Sequence, residues 1–478
     1  MEFKIDNSNY KDFISNNNQL VLDNAFIYLN NISDNCHILI EHIENDQLML
    51  LVKDLKLSNL NIELRNSSLY GLFFENVILN EIKFISLNIS VSSTEKFKNI
   101  KTRFNNSVLK SIYAHDSKFF NGFSITNQSE IENIRINESA IDYSFGFYDS
   151  NAEEITIESS IFNSLNFEKI DVYKKGINPK INLINIFRTE VNAGLKIVDI
   201  EFNHLSLYKF YIIKNPLLLD YKRDIFIALP EKQKKTQRIE FIECNIERKI
   251  TIKLNDLNGF YTNNCIFNSF QFLFNKIAEF QFLNSTVNSN IIFIDQSCYK
   301  EIEKFSLNSC VINGQFHLSD THFTEELMIQ GTSFNTYPSF FARNTFSDNC
   351  IVNFGYSNLT NFIFQDIDFK IVSFKSIDIE NASFNNCEWE SDKKHFFFRY
   401  KVQDENNEII TIDDLLTIKS IYSKLKSSFR KNTDYINSGR FYISEQEVKK
   451  AISRYNSNFF ENLLLSIHKS ISSYGESV

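Results

Sequence analysis

The chain has 478 residues, of which 43% are hydrophobic; glycine (11) and proline (4) are scarce, whereas phenylalanine (48) is abundant. This composition argues against a loop-rich enzyme and against a disordered chain, and the length allows a large buried core. The net charge of −9 is too mild to indicate binding to nucleic acid or an acidic mimic of it. Seven dispersed cysteines without a CxxC pair argue against a disulfide framework.

Residues 1–48 contain two apolar runs, LVLDNAFIYL and HILIEHI, with weak repeat spacing. We interpret this range as an N-terminal cap or as the first coils of the repeat that follows. The sequence shows no secretory signal and no run approaching 18 apolar residues. We therefore expect a cytoplasmic protein, and its Asn-, Ile- and Lys-rich usage suggests a bacterial one.

A six-residue pattern recurs through residues 49–390, with large apolar residues in the first and sixth places. The fourth place is small or polar in ten of the eleven segments, which are LRNSSL (64–69), FNNSVL (104–109), INESAI (136–141), IESSIF (157–162), FIECNI (241–246), YTNNCI (261–266), FLNSTV (282–287), LNSCVI (307–312), IQGTSF (329–334), FGYSNL (354–359) and FKSIDI (374–379). From Phe241 onward these segments start 20 to 25 residues apart, as expected for the coils of a solenoid. Around 168–238 the pattern is interrupted by YKKGINPKIN and by the basic ALPEKQKKTQR, and we expect a lateral insertion there.

The pattern becomes strict near the end of this range, where a large apolar residue returns at every fifth position: Phe354, Leu359, Phe364, Phe369, Phe374, Ile379, Phe384 and Trp389. A period of five fits neither an α-helix nor a strand. A second inward-looking residue lies two positions before each, as strand alternation requires: Val352, Ser357, Phe362, Ile367, Val372, Ile377, Ala382 and Cys387. Four five-residue sides then close a square coil of about twenty residues, with the large side chains on its axis. The predicted fold is mainly β: a right-handed parallel β-helix solenoid, quadrilateral and irregular, with a C-terminal α-helical segment.

The repeat stops near residue 391, and residues 391–478 form the predicted helical segment. Thr411 and Asp414 have the spacing of a capping box, and apolar residues after them follow one helical face. The expected helices are 412–431, 433–454 and 458–473. Between residues 419 and 454 nine basic residues stand against three acidic ones, a local excess of six positive charges.

Residues 352–389 closely resemble the repeat of pentapeptide-repeat proteins, roughly A(D/N)LXX, with SNL (357–359), IDI (377–379) and ASF (382–384) as near matches. The helical segment resembles the helical pair of the membrane-attached members of that family; the matching residues are Tyr422, Leu425, Phe429, Asp434, Tyr435, Gly439, Phe441, Tyr442 and Glu445. The end SSYGES (472–477) resembles the sequence that leads into transmembrane helices in those relatives. The resemblance implies a square β-helix followed by a helical segment close to a membrane.

The basic excess has two open interpretations: a solvated helix face, or a surface that meets an anionic membrane. The residues predicted to face the membrane or a partner are Lys424, Lys426, Arg430, Lys431, Arg440, Lys449, Lys450 and Arg454. We therefore expect a non-enzymatic scaffold or sensor that binds a protein partner along its outer wall, without nucleic acid, as a monomer or a homo-oligomer. The helical segment would couple that partner to a membrane or a membrane-bound effector, at the inner face of the cytoplasmic membrane, in bacterial stress or phage defence.

No catalytic or cofactor-binding site is predicted, because neither GxxxxGK[ST] nor GxSxG occurs. The pairs Asp366/Asp368 and Glu388/Glu390 would suit a carbohydrate-active β-helix enzyme, but solvent-facing corners carry acids routinely. A DNA-mimicking pentapeptide-repeat protein that protects a topoisomerase is the other alternative, and it would need a more acidic surface than this chain offers.

No metal site is predicted either. His317 and His322 are five residues apart with Asp320 between them, but histidines on a solvent face are more often not ligands. Four cysteines lie in or near the column of small residues, where buried thiols act as apolar fillers: Cys244, Cys265, Cys310 and Cys387.

Overall fold

The structure is a computed structural model that describes residues 2–6, 8–15, 19–22, 36–45, 48–89, 102–120, 122–142, 144–170, 179–198, 200–212, 225–228, 238–253, 255–294, 300–335, 338–394, 397–406 and 411–472. The chain divides into two compact units, Met1–Asn255 and Asp256–Val478. Parallel strands stack as a β-solenoid of about 13 turns in all, and three helices follow at the C-terminus. The fold is therefore mostly β, as the repeat predicted.

The first unit contains two walls of stacked strands. The first wall is made of Glu2–Ile5, Cys36–Glu41, Lys56–Arg65, Ile78–Ile85, Val108–His115, Glu130–Asn137, Asn151–Glu158, Lys180–Phe187, Glu201–Tyr208 and Arg238–Ile242. The second wall is made of Ile14–Ser15, Gln19–Leu22, Met49–Lys53, Ser68–Leu69, Gly71–Glu75, Asn88–Ile89, Thr102–Asn105, Lys118–Phe119, Phe123–Thr126, Ala140–Ile141, Phe145–Tyr148, Ile161–Glu168, Glu190–Val198, Tyr211–Ile212, Ile225–Ala228 and Asn245–Lys253. Pairing is parallel apart from the short hairpin of Ile14–Ser15 with Gln19–Leu22.

The second unit repeats this arrangement. Its first wall is made of Asp256–Asn263, Lys276–Leu283, Lys300–Asn308, Thr321–Gln330, Thr345–Phe346, Ile351–Asn353 and Val372–Ser373. Its second wall is made of Ile266–Leu273, Thr286–Val287, Ile291–Ile294, Val311–Ile312, Phe316–Ser319, Ser333–Phe334, Ser339–Ala342, Phe362–Gln365 and Ser383–Asn385. Inside the coils, phenylalanine rings stack from one coil to the next. For example, Phe280 stacks on Phe305 with ring centroids 5.0 Å apart. This stacking explains why phenylalanine is so abundant in the sequence.

The six-residue pattern marks corners of the coils. The residue before the small one adopts a left-handed backbone, as at Asn66 (φ 46°) and Asn284 (φ 48°), a conformation that asparagine tolerates better than most residues. The small residue that follows is buried, because its side chain points into the corner. The sequence pattern placed YTNNCI one residue too early. In the structure Asn264 has the positive φ and Cys265 is the buried small residue, so the segment that matches the other corners starts at Thr262.

Serine hydroxyls connect these corners from coil to coil. Ser139 Oγ accepts a hydrogen bond from the backbone N–H of Ser117 (3.2 Å) and donates one to the carbonyl of Asn137 (2.8 Å). Ser160 Oγ accepts from Ser139 N–H in the same way (3.1 Å). A turn interrupts the strand ladder at each corner, and these hydroxyls satisfy buried N–H groups that the ladder cannot reach.

The strict five-residue period is confirmed between residues 352 and 389. All eight large apolar residues of the series are buried, and so are their partners two positions earlier, except that Cys387 is partly exposed. Val352 pairs with Val372 and Phe364 with Phe384, so one coil contains twenty residues here.

The solenoid also continues through much of 168–238, where the sequence predicted a lateral insertion. Lys180–Phe187 pairs in parallel with two strands of the first wall, Asn151–Glu158 before it and Glu201–Tyr208 after it. Nearly all of ALPEKQKKTQR lies outside the described residues. At the N-terminus, Glu2–Ile5 pairs in parallel with Cys36–Glu41, and the latter pairs with Lys56–Arg65, so these strands belong to the first coils.

A hairpin and three helices follow the last coil. The hairpin strands are Glu390–Lys394 and Phe397–Lys401, and a 3-10 turn at Gln403–Asn406 follows them. The helices are α1 (Ile412–Lys431), α2 (Tyr435–Tyr455) and α3 (Phe459–Ser472), close to the predicted bounds. The predicted capping box of Thr411 and Asp414 begins α1. None of the described helices combines the length and apolarity that a membrane span requires.

Candidate functional site

The junction between the last coil and the helices contains the chain's one tryptophan. Trp389 stacks on Phe369 with ring centroids 4.7 Å apart and meets the edge of Phe441 in α2 at 4.9 Å. Phe429 of α1 lies 5.3 Å from Phe384 below it and 5.3 Å from Phe441 beside it. The axis of the solenoid therefore continues without a break into the helical segment, which covers its open end.

Hydrogen bonds hold α1 on the same coil. The carbonyl oxygen of Ala382 accepts from the buried Ser428 hydroxyl and from Asn432 Nδ2 (3.0 Å). Lys424 Nζ donates to the carbonyl oxygen of Ile377 at 2.5 Å. These bonds use backbone groups of the terminal coil that no further coil would satisfy, which is the role of a solenoid cap.

The hairpin is tied to α1 through a buried tyrosine. The Tyr422 hydroxyl donates to Glu405 and accepts from the backbone N–H of Val402 (3.2 Å). Arg399 of the hairpin forms two hydrogen bonds with the same glutamate, at 2.8 and 3.1 Å. Burial, reinforced by the negative charge of Glu405, raises the pKa of Tyr422 well above its ordinary value, so the phenol stays protonated as a donor.

Most of the predicted basic surface is engaged within the chain. Five of the eight residues have partners: the Ile377 carbonyl for Lys424 (2.5 Å), Glu445 for Lys426 (2.5 Å), Glu380 for Lys431 (3.7 Å), the rings of Phe398 and Tyr400 for Arg440 (4.6 and 5.2 Å) and Glu461 for Lys449 (3.7 Å). Within the described part of the chain, Arg430, Lys450 and Arg454 make no ion pair. The candidate cationic surface thus contracts to these three, of which Lys450 and Arg454 lie together near the end of α2.

The third helix presents a surface that the sequence analysis assigned no role. Its only buried apolar side chain among the described ones is Leu465, which packs on Ile443 of α2. Phe459 and Phe460, at its start, are 69% and 78% exposed. A helical-wheel plot of 458–473 would have placed Leu465 and the two phenylalanines on different faces of the helix. The sequence alone does not say which face meets α2.

An open groove of 660 Å³ lies on the first wall of the first unit. It is lined by one residue from each of five successive strands of this wall: Asn80, Lys110, Glu132, Glu153 and Asn182. Ala152 also lines it, at a position that holds a larger apolar residue in neighbouring coils, such as Ile131. The groove runs across several coils, as an extended partner would require.

A second groove, of 420 Å³, brings together three of the four carboxylates singled out in the sequence. Lys370 Nζ lies between Asp368 (3.0 Å) and Glu388 (2.9 Å) and donates a hydrogen bond to each carboxylate. Hydrogen bonds from Asn386 and Gln365 lower the pKa of Asp366, which is opposite to the shift that a general acid needs. Glu390, the fourth, accepts from Asn406 (2.8 Å).

The two histidines have separate polar partners. His317 Nε2 lies 3.3 Å from Ser319 Oγ, and the nitrogens of His322 lie 2.9 Å from Thr345 Oγ1 and 3.1 Å from Ser347 Oγ. The guanidinium of Arg343 pairs with Asp320. Across the described ranges, no three His, Cys, Asp or Glu side chains converge as metal ligands would.

Cysteines occupy the corner column as predicted. The thiols of Cys244, Cys265, Cys310 and Cys350 are buried, and that of Cys387 is partly exposed. Burial raises the pKa of Cys310 to about 11. The described thiols in this column therefore have the environment of packing groups rather than of nucleophiles.

Compared with known proteins, the chain matches no family model, no curated protein and no solved structure. The repeat architecture is thus established by the β-solenoid itself.

Proposed function

We propose that this chain is a pentapeptide-repeat scaffold of the membrane-attached type, which binds a protein partner along its outer wall without catalysis. The helical segment couples the bound partner to a membrane or a membrane-bound effector. The setting is the cytoplasmic face of a bacterial membrane, in a stress or phage-defence response.

The observation that carries the proposal is the continuous packing from the last coil into α2. Phe369, Trp389 and Phe441 form an uninterrupted series of aromatic contacts, so the last coil and the helical pair pack as one unit. A scaffold that reports occupancy of its wall needs such a connection, whereas a solenoid closed by a loose cap would not transmit it.

The charge pattern of the walls supports a protein partner over nucleic acid. Basic and acidic residues alternate between neighbouring coils and pair across them, as in Lys196 with Glu168 (2.6 Å) and Lys276 with Glu301 (2.7 Å). A phosphate backbone requires one dominant positive sign, and a mimic of that backbone requires the negative one.

Photo-crosslinking in cells of the natural host tests the scaffold. A photoreactive amino acid replaces Lys110 at the edge of the first-wall groove, and a matched variant carries it at the exposed Lys118 on the other wall. We expect one discrete protein adduct from position 110 and none from position 118. Hydrogen exchange in α1 and α2 should then slow when the purified partner is bound.

If position 110 gives no discrete adduct, or if positions 110 and 118 give adducts in equal yield, the outer wall does not bind a protein partner at this groove. Hydrogen exchange in the helices that stays unchanged on partner binding would remove the coupling. Release of reducing ends from a polysaccharide panel by the purified chain would favour the carbohydrate-active alternative.

A further inference from the structure

The orientation of α3 on α2 is fixed by three contacts, one apolar and two ionic. Leu465 packs on Ile443, Lys469 pairs with Glu447 at 2.7 Å, and Lys449 pairs with Glu461 at 3.7 Å. All the α3 residues in these contacts fall within about 40° of Leu465 on a helix with 3.6 residues per turn. One face of α3 is therefore committed to α2.

The opposite face of α3 is apolar and exposed. Its large side chains, with their exposed fractions, are Phe459 (69%), Phe460 (78%), Leu463 (45%), Leu464 (67%) and Ile467 (47%). At about 100° per residue they span an arc of about 140° centred nearly opposite Leu465. Five neighbouring large apolar side chains on one helix exceed what a surface exposes by chance, and such a patch indicates a contact site.

Cations gather beside this helix. Lys450 lies close to Arg454 near the end of α2 and to Lys469 of α3, and the described residues give neither Lys450 nor Arg454 an ion pair. Partial burial, followed by the positive charge of Arg454, lowers the pKa of Lys450, while Glu447 opposes the shift. Such crowding of positive charges is relieved by an anionic partner.

We propose that α3 is an in-plane membrane helix: its apolar face enters the interface of an anionic lipid bilayer while Lys450 and Arg454 contact the lipid headgroups. This inference rests on the proposed function for its membrane half. It moves the main contact from the basic residues of α1 to the apolar face of α3, and of the predicted basic residues it keeps Lys450 and Arg454 of α2. An amphipathic helix with Phe and Leu on one side and cations at its flank has the chemistry of an interfacial helix. The positive charge beside α3 favours an anionic lipid surface over a second copy of this chain. A second copy docked through α3 would bring its own Lys450 and Arg454 towards the same cations.

Co-sedimentation of the full chain with large unilamellar vesicles tests this. The vesicles contain either phosphatidylcholine alone or phosphatidylcholine with 30 mol% phosphatidylserine. We expect wild-type protein to bind the anionic vesicles at least about thirtyfold more tightly than the neutral ones. The double variant Phe460→Ser/Leu464→Ser should lose binding to both. Leu416→Ser, which replaces an exposed leucine of α1 (49%), is the matched control and should bind as wild type does.

The charge contribution is tested separately by Lys450→Gln/Arg454→Gln. Each Lys or Arg near an anionic surface changes affinity about fivefold, so the pair should cost about thirtyfold on anionic vesicles and little on neutral ones. Lys118→Gln, which replaces an exposed lysine of the first unit, is the control and should leave vesicle binding unchanged.

Two outcomes would overturn the inference. Equal vesicle binding by Phe460→Ser/Leu464→Ser and wild type would show that α3 does not enter the bilayer. A dimer seen by sedimentation velocity that this variant abolishes, with no vesicle binding by wild type, would make the α3 face a self-association surface. Crosslinking from position 110 is unaffected by either outcome, so failure here is distinguishable from failure of the scaffold proposal.

Discussion

Truncating Phe441 to alanine should uncouple the helical pair from the solenoid. Phe441 is fully buried, and its ring contacts Trp389 at 4.9 Å, Phe429 at 5.3 Å and Tyr400 at 5.2 Å. It is the side chain of α2 that meets the last coil, the first helix and the hairpin at once. Its removal leaves a cavity at the centre of the junction.

The size of the effect follows from that burial. A fully buried phenylalanine costs about 3–5 kcal/mol on truncation to alanine, including the cavity it leaves. In a solenoid each unit is stabilised mainly by its neighbours, so the loss falls on the C-terminal end rather than on the whole chain. With a urea dependence of about 2 kcal/mol per molar for a small cooperative unit, the midpoint of that end should fall by about 2 M.

Tryptophan fluorescence reports this transition directly, because the chain has one tryptophan and it lies in the junction. Equilibrium urea unfolding is followed by Trp389 emission and by circular dichroism at 222 nm, where the helices contribute most. We expect both signals to shift together in Phe441→Ala. Leu416→Ala is the control: that side chain is 49% exposed, so its truncation should change the unfolding free energy by less than about 1 kcal/mol.

A shift in the Trp389 transition no larger than that of the control would refute the idea that coil and helices form one packed unit. A shift in fluorescence without a shift in the helical signal would refute it equally, since the helices would then be stable without the coil.

Three further predictions concern the solenoid itself. Ser139→Ala leaves a buried N–H of the preceding coil without an acceptor and should lower the unfolding free energy by about 1–3 kcal/mol, whereas the exposed Ser58→Ala should not; thermal unfolding measures both. A Cβ at Gly259 would lie 2.3 Å from a ring carbon of Tyr261, so Gly259→Ala should be more destabilising in wild type than in a Tyr261→Ala background, by at least about 0.5 kcal/mol in a double-mutant cycle. Because the pKa of Cys310 is raised to about 11, peptide mapping after iodoacetamide treatment at pH 8 should find it unmodified in the folded chain and modified in urea; rapid alkylation of the folded chain would contradict its assignment as a filler.

The five-residue series could be predicted because its period is incompatible with any other regular structure. Phe354 through Trp389 leave a single arrangement in which all eight large side chains avoid water, and the structure places them there. The helices were also predictable, since a capping box and an apolar stripe of period 3.6 are local signals. Both predictions depend on contacts between residues close in sequence or separated by a fixed interval.

The coils between residues 180 and 212 were missed for a related reason. There the corner residues are Arg188 and Lys209, long side chains in a left-handed backbone where the other corners carry mostly Asn, Asp or Ser. At the second of these corners the small-residue signal disappears as well, because Phe210 fills the place that Thr189 fills at the first and that Ser or Thr fills at many others. Stacking on neighbouring coils overrides these local preferences, and that contribution is invisible in a single repeat.

The fate of the basic residues shows why charge counts mislead in a capped solenoid. A terminal coil presents carbonyl oxygens with no next coil to satisfy them, and long cationic side chains are efficient donors to such groups. Lys424 and Lys431 of α1 reach the backbone carbonyl of Ile377 and the side chains of Glu380 and Asn381, so their charge serves the cap. A cationic helix next to the end of a β-solenoid therefore predicts capping first. Only cations beyond reach of the last coil, such as Lys450 and Arg454 near the end of α2, remain for an external partner.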